Sequence, residues 1–101
     1  MQNFNDILKH AQKLQQQFLQ AQDKLAKMEV EGTAGGGAVK ILADGTGKIK
    51  SVRIDPEVVD PDDVEYLEDL ILAALNNLNE NIEKLTKEEL GPLAGGIPGL
   101  F

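Results

Sequence analysis

Residues 29–54 read EVEGTAGGGAVKILADGTGKIKSVRI, and this stretch decides the fold. Gly32 and the run Gly35-Gly36-Gly37 stop any helix from crossing it, because each glycine weakens a helix interior by ~1 kcal/mol relative to alanine. Ala38-Val39-Lys40-Ile41-Leu42-Ala43 alternates as a strand, and Asp44-Gly45-Thr46-Gly47 supplies turn residues able to take positive φ. Ile49 to Ile54 then forms the return strand. A short strand over about Glu29 to Ala34 completes a three-stranded antiparallel meander. A sheet this small needs cover from a helix or from a partner's sheet.

Upstream of the sheet, apolar residues fall at Phe4, Ile7, Ala11, Leu14, Phe18, Ala21, Leu25 and Met28, in alternating steps of three and four. Positions a and d of four heptads are thereby filled. Glutamines, lysines and other good helix formers lie between them, with no Gly or Pro, so the spacing predicts a helix from about Asn3 to Glu29. Such a stripe serves either to pack the helix on its own domain or as a seam against another long helix. The unbroken 3.5-residue period favours the seam.

Downstream, Asp55-Pro56 ends the last strand and a new start signal follows. Asp60 can cap a helix, Pro61 suits its first position, and Asp62, Asp63 and Glu65 put negative charge at the positive end of its dipole. Val64, Leu67, Ile71, Ala74, Leu78, Ile82 and Leu85 carry the apolar stripe, widened by Leu70, Leu72 and Leu75. The expected helix runs from Pro61 to about Glu89 and buries its first half most deeply. Residues 91–101, GPLAGGIPGLF, read as a flexible Gly/Pro-rich apolar tail beyond a single domain of residues 1–90. The fold class is therefore α+β, in the order αβββα.

Each helix has close to thirty residues and spans roughly 40 Å. A compact chain of this length has a radius of gyration of only ~13 Å. The helix ends must project beyond the sheet, and projecting apolar stripes need a partner. The simplest partner is a second copy, so a homodimer is expected.

A chain of 101 residues holds one modest core. Cysteine is absent, which excludes disulfides, thiolate catalysis and zinc–thiolate or iron–sulfur sites, and fits a reducing compartment. The amino terminus has no basic opening followed by an apolar stretch, and no apolar run approaches the ~20 residues of a membrane span, so a cytoplasmic protein is expected. The net charge of −7 is unevenly distributed. Residues 56–101 hold only Lys84 and Lys87 against eleven carboxylates, whereas residues 1–29 and 30–55 each carry a small positive excess. A basic surface outside the last helix remains compatible with the acidic whole.

No residues suggest catalysis. His10 is the sole histidine, beside the apolar seam, and reads as solvated. The cluster Asp60-Pro61-Asp62-Asp63-Val64-Glu65 lacks the Gly and Glu that an EF-hand loop requires at its sixth and twelfth positions, where Glu65 and Ile71 stand. The glycine runs match neither phosphate-binding pattern, since Gly47-Lys48 leads into Ile49 and a strand. Ser51 is the one serine, and Phe4, Phe18, Tyr66 and Phe101 are too few for a base-stacking platform. No enzyme, cofactor, metal site or small-molecule substrate is expected.

Four segments together resemble the YbaB/EbfC family of bacterial nucleoid-associated proteins. They are Gly32 to Lys40 (GTAGGGAVK), Val52 to Val59 (VRIDPEVV), Leu67 to Asn76 (LEDLILAALN) and Gly95 to Leu100 (GGIPGL). The likeness spans essentially the whole chain, and its motifs are specific in combination. It implies an αβα protomer, a tweezer-like homodimer whose protruding helix ends contact duplex DNA, a nucleoid location, and a role in nucleoid organisation or gene regulation. Carried onto this sequence, the implied contacts are Lys9, Gln12, Lys13 and Gln16 on the first helix, with Lys84 and Lys87 on the last. Their charges would meet phosphates, which gives affinity without base specificity. The alternative reading is a protein-interaction or chaperone-like module that grips an apolar partner segment between paired helices, prompted by the acidity and by Ile97, Leu100 and Phe101 in the tail.

Overall fold

The computed structural model describes residues 3–94. Helix α1 spans Phe4–Lys27, strands β1, β2 and β3 span Glu29–Ala34, Val39–Asp44 and Ile49–Ile54, and helix α2 spans Val64–Ala94. The expected αβββα order is the observed one. Asn3 caps α1, its side chain accepting the Asp6 N–H at 2.9 Å. The helix stops two residues before the expected Glu29, because Met28 turns extended and Glu29 is already paired in β1.

The sheet has the order β1-β2-β3, antiparallel throughout. Gly35, Gly36 and Gly37 form a single 3-10 turn between β1 and β2, with φ of 62°, 67° and 95°. Three consecutive residues in that region would strain any side chain, so the triplet is what lets β2 fold back at once. Between β2 and β3 the register slips: Leu42 faces Ser51 and Ala43 faces Ile49, leaving Lys50 as a bulge.

Alternation decides which face is covered. Val30, Gly32, Val39, Ile41 and Ala43 are buried, while Glu29, Glu31, Thr33 and Lys40 between them are exposed. The core joins Val30, Val39, Ile41 and Ala43 to Ala74 and Leu78 of α2, with Ile54, Leu67, Leu70, Ile71, Leu75, Ile82 and Leu85 packed round them. Gly32 sets the distance of approach. A Cβ there would lie 2.4 Å from the Ala74 carbonyl oxygen and 2.5 Å from the Leu78 Cβ, so the helix rests directly on the β1 backbone.

Sheet edges also need management, and α2 closes one of them. The Asn77 side-chain oxygen accepts the outward N–H of Thr33 at 2.9 Å, and the Asn81 amide donates to the Glu31 carbonyl at 2.8 Å. Both asparagines stand one helical turn apart, as the spacing of outward groups on β1 requires. Each bond satisfies a backbone group that would otherwise template another strand.

Two expectations about α2, its start and its end, need correction. It begins at Val64, not Pro61: Asp63 N–H donates to the Asp60 carbonyl at 3.0 Å, closing a turn in which Pro61 holds the second position. The Asp60 carboxylate takes the Asp62 N–H, and Asp63 caps the helix by accepting from Tyr66 N–H at 3.3 Å. Proline suits the second residue of a turn as well as the first residue of a helix, so the local signal was ambiguous. The deepest burial falls in the first half of α2, as expected, at Ala74 and Leu78, while Val64, Tyr66 and Leu72 there stay exposed. Finally, the helix continues through Gly91 and Pro92 to Ala94, into the segment expected to be tail. Leu90 is buried and Leu93 half-buried there, and packing outweighs the poor helix propensity of Gly and Pro. The remainder of the expected tail, residues 95–101, lies outside the described residues.

The described chain measures 71 × 23 × 16 Å with a radius of gyration of 19.4 Å, well above the ~13 Å of a compact domain. The projection expected from helix length is present.

Candidate nucleic-acid interface

The projecting element is an arm built on α1. Its C-terminal end meets the sheet and α2 leaves the sheet by its own C-terminal half, so the two helices run antiparallel along the arm's base. Gln22 and Leu25 share a groove of about 410 Å³ with Ile82, Thr86 and Leu90 of α2 and with Gly45 and Thr46 of the β2–β3 turn. Lys24 reaches Glu89 at 3.0 Å across the same seam.

The root of the arm is held by the turn. Gly45 N–H donates to the carbonyls of Leu25 at 2.8 Å and Met28 at 3.1 Å, satisfying the end of α1. That turn is in turn organised by Asp44, which is buried. Its carboxylate accepts from the Thr46 hydroxyl, from Thr46 N–H at 2.8 Å and from Lys48 N–H at 3.1 Å. The Thr46 hydroxyl above all, then these backbone donors and the charge of Lys50, outweigh burial and hold the Asp44 carboxyl below the usual carboxylate range.

Away from the root, α1 is bare. Only Leu25 is buried; Leu14, Phe18 and Ala21 are half-buried, and Phe4, Ile7, Leu8 and Leu19 are exposed, Phe4 to 75%. The heptad stripe is thus covered by α2 at its base and uncovered over its outer half.

The opposite side of α1 is polar. At 3.6 residues per turn, Lys9, Lys13, Gln16, Gln20 and Lys27 fall within a sector of about 60°, facing away from Ile7, Phe18 and Leu25. All five are exposed; Gln12, also exposed, lies about 40° outside the sector. The ridge extends roughly 27 Å from Lys9 to Lys27. Asp6 and Asp23 are the only carboxylates on the helix; they flank the sector by about 20° on either side, three residues from Lys9 and four from Lys27. Gln20 and Lys27 were not singled out from sequence, although extending the same 3.6-residue period would have found them.

Lys84 and Lys87 are exposed on α2 but do not join this ridge. They lie beside the base of the arm, at the level of Leu25, which roughly 24 Å of helix separates from Lys9. Glu80, Glu83 and Glu88 stand four residues from one or other of them, where helical geometry brings opposite charges together. The six residues suggested by sequence therefore divide into an α1 group with few carboxylates beside it and a more fully compensated pair on α2.

No described helix is long and apolar enough to cross a membrane. The fold matches the crystal structure of an uncharacterized protein from Helicobacter pylori, with a TM-score of 0.82 over 94% of this chain and 100% of that one, at 21% identity. By sequence, the chain is 50% identical to a nucleoid-associated protein of Streptomyces avermitilis, covering 97% of this chain and 91% of the relative. A nucleoid-associated protein of Mycobacterium sp. (strain KMS) is also 50% identical, over 93% of this chain and 86% of its own. One from Chloroflexus aurantiacus is 46% identical over 98% and 99%. The profile of the YbaB/EbfC DNA-binding family matches residues 1–97. With the long-helix arm, the three-stranded sheet and this match over nearly its full length, the chain belongs to the YbaB/EbfC DNA-binding family, a family of DNA-binding proteins rather than enzymes.

Proposed function

We propose that the chain works as a homodimeric nucleoid-associated protein that contacts the phosphates of duplex DNA through its α1 arms. The observation that carries this reading is the exposed Lys9-Lys13-Gln16-Gln20-Lys27 ridge on an arm standing clear of an otherwise acidic molecule. Lysines at that spacing meet phosphates as point charges, and glutamines add neutral donors, so binding is sequence-tolerant. Lys84 and Lys87 add less, because the neighbouring glutamates offset them. The names of the bacterial relatives support a nucleoid location.

Dimerisation follows from what one chain leaves uncovered. Phe4, Ile7 and Leu8 on α1 and Ile49 and Val52 on β3 are each about half or more exposed. Val52 and Ile49 lie opposite Ile41 and Ala43, on the face that α2 covers only over β1 and β2. A second copy would bury this apolar surface and set two arms side by side.

A salt titration of binding to random-sequence duplex DNA, beside a sedimentation mass, tests the reading. The slope of log K against log salt should approach −0.9 per phosphate neutralised. Replacing Lys9 and Lys13 by Glu should weaken binding on all sequences alike. Absence of a complex at ~50 mM salt, where such contacts are strongest, would remove the proposal. The exposed stripe at Phe4, Ile7 and Leu8 favours one second reading, a module gripping an apolar protein segment. Nuclease-treated pull-downs that recover proteins on wild-type chain but not on an Ile7→Lys variant would favour it instead.

A further inference from the structure

The sheet has a second face, which α2 leaves uncovered. Lys40 sits between buried Val39 and Ile41 and so points to that face, directly opposite Arg53 of β3. Leu42 faces Ser51 there, and Thr33 of β1 lies on the other side of Lys40. Together with Glu31, the side chains of Lys40, Leu42, Ser51 and Arg53 border a shallow depression of about 160 Å³.

Two cations directly opposed across a ladder repel each other and cost stability unless an anion lies between them. Among the described residues the single ion pair is Lys24–Glu89, so neither Lys40 nor Arg53 has a carboxylate at salt-bridge distance. Asp44, the one acid on β2, is committed to Thr46 and Lys48 of its own turn. Glu31 borders the depression from the β1 side, at the diagonal of Lys40, with Glu29 beyond it on the same face, and the two mark where the cationic area ends. Leu42 is the single large apolar residue of this face, so the face is not made for an apolar partner.

We propose that this open sheet face is a second phosphate-contacting surface for duplex DNA, with Lys40 and Arg53 as its paired cationic contacts and Thr33 and Ser51 as neutral hydroxyl donors. The proposal rests on the DNA-binding reading above but uses a different element of the molecule. The arginine fork suits a phosphate's paired oxygens, and the lysine adds a point charge beside it. DNA held by the α1 ridge alone would be contacted along one helix; a basic sheet face adds contacts from the body of the molecule.

The test compares the full-length chain with a Lys40→Gln/Arg53→Gln variant and a Lys9→Gln/Lys13→Gln variant, using fluorescence anisotropy on one random-sequence duplex across a salt series. Both changed positions on the sheet are exposed, and an unchanged thermal melt checks that the variant folds. The sheet variant should flatten the slope of log K against log salt by about 2 units, as expected for two lost phosphate contacts. Arg53→Lys, which keeps the charge, should keep most of the slope. A flattened slope in the α1 variant with an unchanged one in the sheet variant would overturn this proposal and leave the arm reading standing. No salt-dependent binding by the unaltered chain would overturn both. If the sheet variant keeps the DNA slope but loses affinity for a polyglutamate peptide, the face serves an acidic protein and the DNA assignment is wrong.

Discussion

The two long helices, of 24 and 31 residues, are opposite in use. Helix α2 spends its middle on the core, laying Ala74 and Leu78 on Gly32 and clamping β1 through Asn77 and Asn81. Helix α1 has one buried residue, Leu25, and half-buried Leu14, Phe18 and Ala21; its outer half is open to solvent, apolar on one side and basic on the other. The acidic helix is the structural one and the lysine–glutamine helix the exposed one. On the proposed DNA-binding reading, such a division separates stability from function along the chain, and substitutions in the two regions should fail in different ways.

The sharpest way to break the comparison is at the contact of α2 with β1. Gly32→Val should destabilise the chain by about 3 kcal/mol, since added atoms must push the helix off the strand. Leu78→Ala should cost a similar amount, about 2–5 kcal/mol, by leaving a cavity. Urea unfolding measures both, and a loss below ~0.5 kcal/mol in either would show that α2 is not seated as described.

Next in size is the edge clamp. Asn77→Ala leaves the Thr33 N–H to water and removes the neighbour of Asn81, and should cost about 0.5–1.5 kcal/mol. Hydrogen exchange reads it locally. Thr33 amide protection should fall far more than that of Ile41, and equal changes at both would mean the bond is not a separate contributor.

A smaller effect, visible in acid, is expected at Asp44. Its folded carboxyl titrates below the unfolded value of about 3.9. The unfolded chain therefore takes up a proton first as pH falls. The stability contributed by the charged carboxylate is complete above the unfolded value and is lost as pH falls through the lowered folded one. Asp44→Asn keeps an oxygen acceptor but not the charge, so thermal melts should separate it from the wild type at pH 6 and bring the two together in strong acid.

The smallest expected change is on the arm. Lys24→Ala removes a largely exposed ion pair and should shift stability by no more than a few tenths of a kcal/mol. Ile7→Lys, on the bare stripe, should also leave the monomer's own stability nearly unchanged while lowering the sedimenting mass. A large loss of monomer stability from either would mean that α1 is structural after all, and the contrast between the helices would disappear.

Much of this was legible in the chain itself. Local periodicity placed both helices and all three strands, because the 3.6- and 2-residue repeats act between neighbours in sequence. Length against domain size foretold the projection. Composition located the acidity on the last helix and the lysines elsewhere. What one turn's worth of neighbours could not decide was left to tertiary contact. The start of α2 was ambiguous between Asp60 and Asp63 because Pro61 suits both a turn and a helix. Its end at Ala94 depends on burial of Leu90 against the arm, and the asparagine clamp joins residues 44 and 50 positions apart. The opposition of Lys40 and Arg53 exists only once the ladder's register is set. Periodicity reports which side of an element is apolar; only the packed structure determines how far along that side the cover reaches, and on α1 it stops near the base.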